Sequence, residues 1–72
     1  MADIEAHIAG TIFKIEKQIG DRVNEGDEVI ILESMKMEIP VCAPSDCKLV
    51  EILVAEEDSV SEGQVVAIVE ED

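Results

Sequence analysis

Shifted against itself by 37 positions, this chain meets a second copy of its own pattern without a gap. Ile15 falls on Ile52, Asp21 on Asp58 and Val23 on Val60. Glu25-Gly26 falls on Glu62-Gly63, Val29 on Val66, Ile31 on Ile68 and Glu33 on Glu70. The ungapped match runs from Ala6/Ala43 to Glu33/Glu70. Two copies of one supersecondary unit are therefore expected, residues 1–34 and residues 38–71. Only Met35-Lys36-Met37 lies outside both, so a lysine stands at the hinge of the repeat.

A chain of 72 residues has room for one small domain, expected to span 1–72. Phe13 is its only Phe, Tyr or Trp, so the core must come from Val, Ile, Leu and Ala. Such residues pack well in strands, and a closed sheet leaves few open edges. Five basic residues stand against 18 acidic ones, a formal net charge of −13. That excess leaves no basic patch to neutralise phosphates, which argues against nucleic acid and against an anionic membrane surface. It suits a monomeric domain that repels its own copies. Neither a signal peptide nor an apolar run long enough to span a membrane is present. Cys42 and Cys47 lack zinc-type spacing and read as small buried hydrophobes in a reducing cytoplasm. No metal site is expected. His7 has no nucleophile and acid arranged around it, and is expected on a surface or turn.

Helical periodicity is poor, and short Val/Ile runs bounded by turn residues read as strands. They are expected at Asp3–Ala6, Thr11–Ile15, Glu28–Ser34, Met37–Val41, Lys48–Val54 and Val65–Glu70, with very short strands around Val23 and Val60. That gives an all-β chain with four strands per copy. Asn24-Glu25-Gly26 and Ser61-Glu62-Gly63 are matching turns closing on a left-handed glycine. Gly20-Asp21 is a third, but its counterpart is Glu57-Asp58, so Glu57 carries strain if that backbone needs positive φ. With Pro40 just after the hinge and Pro44 between strands, Met37–Val41 is expected to be an edge or interrupted strand. If a two-fold axis relates the copies, a hairpin joins Ser34 to Glu38 at one pole, and the termini meet at the other.

The segment Glu33-Ser34-Met35-Lys36-Met37 resembles the attachment site of biotinyl domains. Lipoyl domains share the fold and the hairpin lysine, but there an acidic residue typically precedes the lysine and a small one follows. Here both flanks are Met, as in the biotinyl branch, the biotin carboxyl carrier proteins. The resemblance extends through Ala9-Gly10-Thr11 and Glu62-Gly63-Gln64-Val65, over essentially the whole chain. It implies a flattened β-barrel, the barrel-sandwich hybrid, made of two four-stranded antiparallel sheets with pseudo-two-fold symmetry. Cys47, Glu57 and His7 depart from the family pattern, standing where residues matching Gly10, Gly20 and Pro44 are usual. The Thr11–Val23 segment has no room for the extra thumb that folds over biotin in some bacterial carriers.

The resemblance further implies covalent biotin on Lys36, attached by a biotin protein ligase. Met35 and Met37 would be the flanking recognition residues, beside Glu33 and Ser34. Loaded, the chain has 4 basic and 18 acidic residues, or −14. The domain would be a non-catalytic swinging arm, carrying carboxybiotin from a biotin carboxylase to a carboxyltransferase. A lipoyl carrier, or one accepting both biotin and lipoate, is the alternative. An unmodified transport adaptor of the same fold is disfavoured, because such domains usually insert a helical hairpin where Met35–Met37 lies.

Overall fold

The computed structural model describes residues 1–72. Every regular element is a strand: β1 (Ala2–Glu5), β2 (Gly10–Ile15), β3 (Arg22–Val23), β4 (Glu28–Ser34), β5 (Met37–Cys42), β6 (Cys47–Ile52), β7 (Ser59–Val60) and β8 (Val65–Glu71). They form two four-stranded antiparallel sheets, ordered β1-β8-β6-β3 and β5-β4-β2-β7. Exchanging each strand for its counterpart in the other copy turns one order into the other. Each sheet is thus built from both copies, and neither copy can complete a sheet alone.

Hydrogen bonds outside the ladders repeat the shift. Gly26 N–H donates to Ala43 O at 3.0 Å, and Gly63 N–H to Ala6 O at 2.8 Å. Gly20 N–H reaches Leu49 O, as Glu57 N–H reaches Ile12 O, both at 2.7 Å. Asp21 and Asp58 accept from the backbone N–H three residues earlier, each at 2.9 Å. Asp27 and Gln64 do the same at 2.9 and 3.0 Å. The side chains of Asp21, Asp58, Asp27 and Gln64 thus close turns that compete successfully with continued strand. Of the 15 backbone bonds outside the strands, only Asp72 N–H to Asp46 O lacks a partner under the shift.

The core holds 15 residues, all apolar, drawn from both sheets. Ile12, Ile30, Leu32 and Leu49 are its largest fully buried members. Simple alternation does not account for it, since Val29 and Ile30 are both buried, as are Val66 and Ala67. Register shifts at Glu28/Ile30 and Ile4/Glu5 mark bulges that turn neighbouring side chains the same way. Equivalent shifts at Ile12/Lys14 and Leu49/Glu51 leave Phe13 outside the core, about half exposed.

All the expected strands are present; Thr11–Ile15, Met37–Val41 and Val65–Glu70 each gain one residue, and two others move at both ends. Lys48–Val54 becomes Cys47–Ile52, because the chain beyond Leu53 crosses toward β2, where Glu57 bonds Ile12. Asp3–Ala6 becomes Ala2–Glu5, because Ala6 leaves the ladder to pair with Gln64 and Gly63. Pro40 does lie on an edge strand, β5. Cys47 is buried as expected, and burial first, then Glu71 and Asp72, pushes its thiol up. Cys42 is only half-buried, since β5 has solvent on its open side, and both cysteines are free.

Gly26 and Gly63 have φ of 89° and 86°, Gly20 has 97°, and Glu57 has 77°. Gly26→Val and Gly63→Val are expected to lose about 1–3 kcal/mol, because a β-branched residue tolerates positive φ poorly. Glu57→Gly should gain about 0.5 kcal/mol, relief of strain exceeding the added freedom of the unfolded chain. Urea melts of the three variants test this; losses absent at both glycines would contradict the turn geometry.

Candidate functional site

β4 and β5 pair residue for residue up to their shared end, Glu33 with Glu38 and Ser34 with Met37. Only Met35 and Lys36 remain to reverse the chain. Of the two-residue connections that match the right-handed twist of the strands, the type I′ turn has positive φ at both residues. Met35 has φ 52° and Lys36 has φ 65°. Neither is Gly, Asn or Asp, so each sits where an L side chain is disfavoured, at about 1 kcal/mol apiece. The turn persists because the ladder below it leaves no spare residue.

Gly10 supports the hairpin from the neighbouring strand. A Cβ placed there would lie 2.6 Å from the Glu33 carbonyl oxygen and 3.3 Å from Ser34 Cβ. β2 can therefore approach the end of β4 only without a side chain at position 10. The half-buried Ser34 is small enough to complete that contact. β7 closes the other side of β2, with Gly10 opposite Val60 and Thr11 opposite Ser59.

The structure brings all five expected site residues to one strand end. Met35 is 90% exposed and Met37, within β5, is 62% exposed. Lys36 is exposed and unpaired; the ion pairs of the chain are Lys14–Glu16 and Arg22–Asp72. Glu33 and Glu38 face each other across the ladder, exposed, one residue below Ser34 and Met37. His7 lies exposed in a bend. Gly10, Ser59 and Val60 were not expected as supports. The one sequence signal was Gly10 itself, whose counterpart Cys47 carries a side chain.

The opposite pole holds the termini. Ala2 pairs with Val69, Asp72 N–H reaches Asp46 O, and Arg22 forms an ion pair with Asp72. Asp72, by its hydrogen bond and then its charge, raises the Arg22 pKa above its ordinary value. Asp46 also accepts from Glu25 N–H at 2.9 Å, which ties the chain entering β4 to this pole. Six steps of β4 at ~3.4 Å each then carry the chain roughly 20 Å to Ser34. In a molecule measuring 34 × 17 × 17 Å, the hairpin and the termini thus lie at opposite ends.

A family model described as "Biotin-requiring enzyme" matches residues 1–69. The biotin/lipoyl attachment protein of Bacillus subtilis is 42% identical over 62 residues, 86% of this chain and 85% of that protein. The biotinylated protein TB7.3 homolog of Mycobacterium leprae is 33% identical over 67 residues, 93% and 94% of the two chains. Among solved structures, a single-chain, multi-domain long-chain acyl-CoA carboxylase superposes with a TM-score of 0.93 at 25% identity. That match covers 99% of this chain but spans only 7% of the carboxylase.

Replacing Met35-Lys36 by Asn-Gly, the pair preferred in such turns, should raise stability by about 1 kcal/mol through relief of two strained residues. Gly10→Ala should lower it by about 1–3 kcal/mol, because backbone rather than a flexible side chain must yield. Chemical denaturation of both variants checks the pair of signs. An unchanged Gly10→Ala would show that β2 does not press on the hairpin.

Proposed function

The chain belongs to the biotin/lipoyl attachment family, and from that premise we propose that it carries biotin in amide linkage on Lys36. Biotin is the cofactor associated with the family and with its biotinylated relatives. The observation that carries the residue assignment is the turn: one exposed, unpaired lysine on a two-residue hairpin between the repeats. Lys14, Lys17 and Lys48 lie elsewhere, on or beside strands without such a turn.

Formation of the amide needs a neutral amine, because nitrogen attacks the activated carboxyl carbon with its lone pair and then gives up a proton. No acid–base side chain of this chain is hydrogen-bonded to Lys36, so a biotin protein ligase has to deprotonate it. What the chain supplies is presentation. Paired backbone on both sides holds the lysine stem at the end of the sheet, clear of neighbouring loops. Met35 and Met37 offer the ligase and later partners an adaptable apolar surface without charge. Glu33, Ser34 and Gly10 fix the strand end beneath them.

Once loaded, the domain acts as a swinging arm in a biotin-dependent carboxylase. A biotin carboxylase site places a carboxyl group on the biotin ureido nitrogen, and a carboxyltransferase site passes it to an acceptor. The acceptor is an acyl-CoA or an oxo-acid, and the structural likeness to an acyl-CoA carboxylase supports a place in a carboxylase of this kind. The domain performs no chemistry itself; tethering raises the local concentration of carboxybiotin at two separate sites. The two sheets close as a flattened barrel rigid enough to act as the handle, monomeric in the cytoplasm. The termini, at the far pole, are the natural point of attachment to a larger assembly. A lipoyl or dual carrier is the second reading, favoured by the B. subtilis relative, whose name covers both cofactors.

Co-expression with a biotin protein ligase should add one biotinyl group to the intact mass, and Lys36→Arg should fold normally yet gain none. Arg keeps the charge but cannot become a neutral nucleophile at this pH. Full biotinylation of Lys36→Arg would place the acceptor elsewhere. Met35→Asp with Met37→Ala should shift loading from biotin toward lipoate without unfolding the chain; unaltered preference would remove the methionines from recognition.

A further inference from the structure

We propose that Met35 and Met37 make the loading of Lys36 sensitive to peroxide: oxidation of either thioether to the sulfoxide slows biotin attachment, and reduction restores it. This deepens the carrier reading and rests on it. The chain contains three methionines and two cysteines. Cys47 is fully buried, and its thiol is pushed away from the reactive thiolate by that burial. Cys42 is half-buried at the far end of β5 from the turn. Met1, Met35 and Met37 are 87%, 90% and 62% exposed, which makes them the accessible sulfurs.

Two of these three flank the acceptor lysine directly. The ladder ends at Ser34 and Met37, so Met35 lies beyond both strands and is 90% exposed. Glu33 and Glu38, opposite each other just below, repel anions but not neutral hydrogen peroxide. A thioether reacts without losing a proton, so the acidic surface does not suppress it. In the step, a sulfur lone pair attacks one peroxide oxygen and forms the S–O bond as the O–O bond breaks. The second oxygen leaves as water after proton transfer. Sulfur is oxidised by two electrons and the peroxide is reduced by two.

The product is polar and chiral where an apolar, unbranched side chain stood. A partner surface that buries either methionine beside Lys36 then has to desolvate a strong acceptor. Loss of one such apolar contact corresponds to a roughly tenfold drop in rate. The fold is untouched, because neither side chain belongs to the core. Met1, at the opposite pole, oxidises without consequence and serves as an internal control.

The test treats the full, unloaded chain with hydrogen peroxide and separates singly oxidised isoforms by reversed-phase chromatography. Peptide mapping assigns each oxidised sulfur, and each isoform is given to a biotin protein ligase. The expected result is a roughly tenfold slowing for isoforms oxidised at Met35 or Met37, and none for the Met1 isoform. Methionine sulfoxide reductases should return the slowed isoforms to the untreated rate. Equal rates for all isoforms, or no preference for Met35 and Met37 over the cysteines, would overturn the proposal. Absence of biotin on the untreated chain would instead overturn the carrier reading, and the switch with it.

Discussion

The register of β4 against β5 governs the end of the molecule that bears Lys36. Pairing of Glu33 with Glu38 and Ser34 with Met37 leaves two residues to reverse the chain, and both are driven to positive φ. A one-residue slip would turn Ile30 and Leu32, two residues apart on the inner face, away from the core. The core therefore locks the register, and the register locks the turn. Strain at Met35 and Lys36 is held by burial far larger than itself, which is how an unfavourable backbone persists at this turn. Gly10 adds a second restraint by bringing β2 against the Glu33 carbonyl.

The internal repeat makes two poles from nearly one design, and they differ at a few positions. At the hinge pole the chain runs through; at the other it ends, and Arg22, Asp46 and Asp72 tie the ends together. Such an exposed ion pair contributes little stability. Gly10 at one pole corresponds to Cys47 at the other, so only the hinge needs its strand to approach bare of a side chain. Gly20 corresponds to Glu57, which adopts φ 77° and accepts the strain because its N–H bond to Ile12 O is kept.

Much of this was legible before any coordinates. The 37-residue shift foretold which strands correspond, and the apolar runs with Gly and Asp stops gave eight strands in the right places. Lys36 stood out because it belongs to neither copy. The bulges were not legible: a register shift between Ile12 and Lys14 leaves no mark in a sequence read for period-two alternation, yet it decides that Phe13 faces outward. Nor was the turn. Met35-Lys36 has none of the Gly or Asn chemistry that announces positive φ, so the need for it appeared only with the β4–β5 register. Cys42 was expected inside because free cysteine usually is; the open edge of β5 exposes it in part.

The central claim is that the folded turn, rather than the local sequence alone, makes Lys36 the acceptor. Its most direct test compares the rate of biotinylation of the intact chain with that of a synthetic peptide covering residues 30–42, under one biotin protein ligase. The peptide keeps Glu33 through Met37 but has no β2, no Gly10 and no core to impose the register. The account predicts that the intact chain is modified and that the peptide is slower by roughly thirtyfold, since holding two residues in left-handed backbone at about 1 kcal/mol each falls to the ligase. A peptide modified as fast as the folded chain would contradict it.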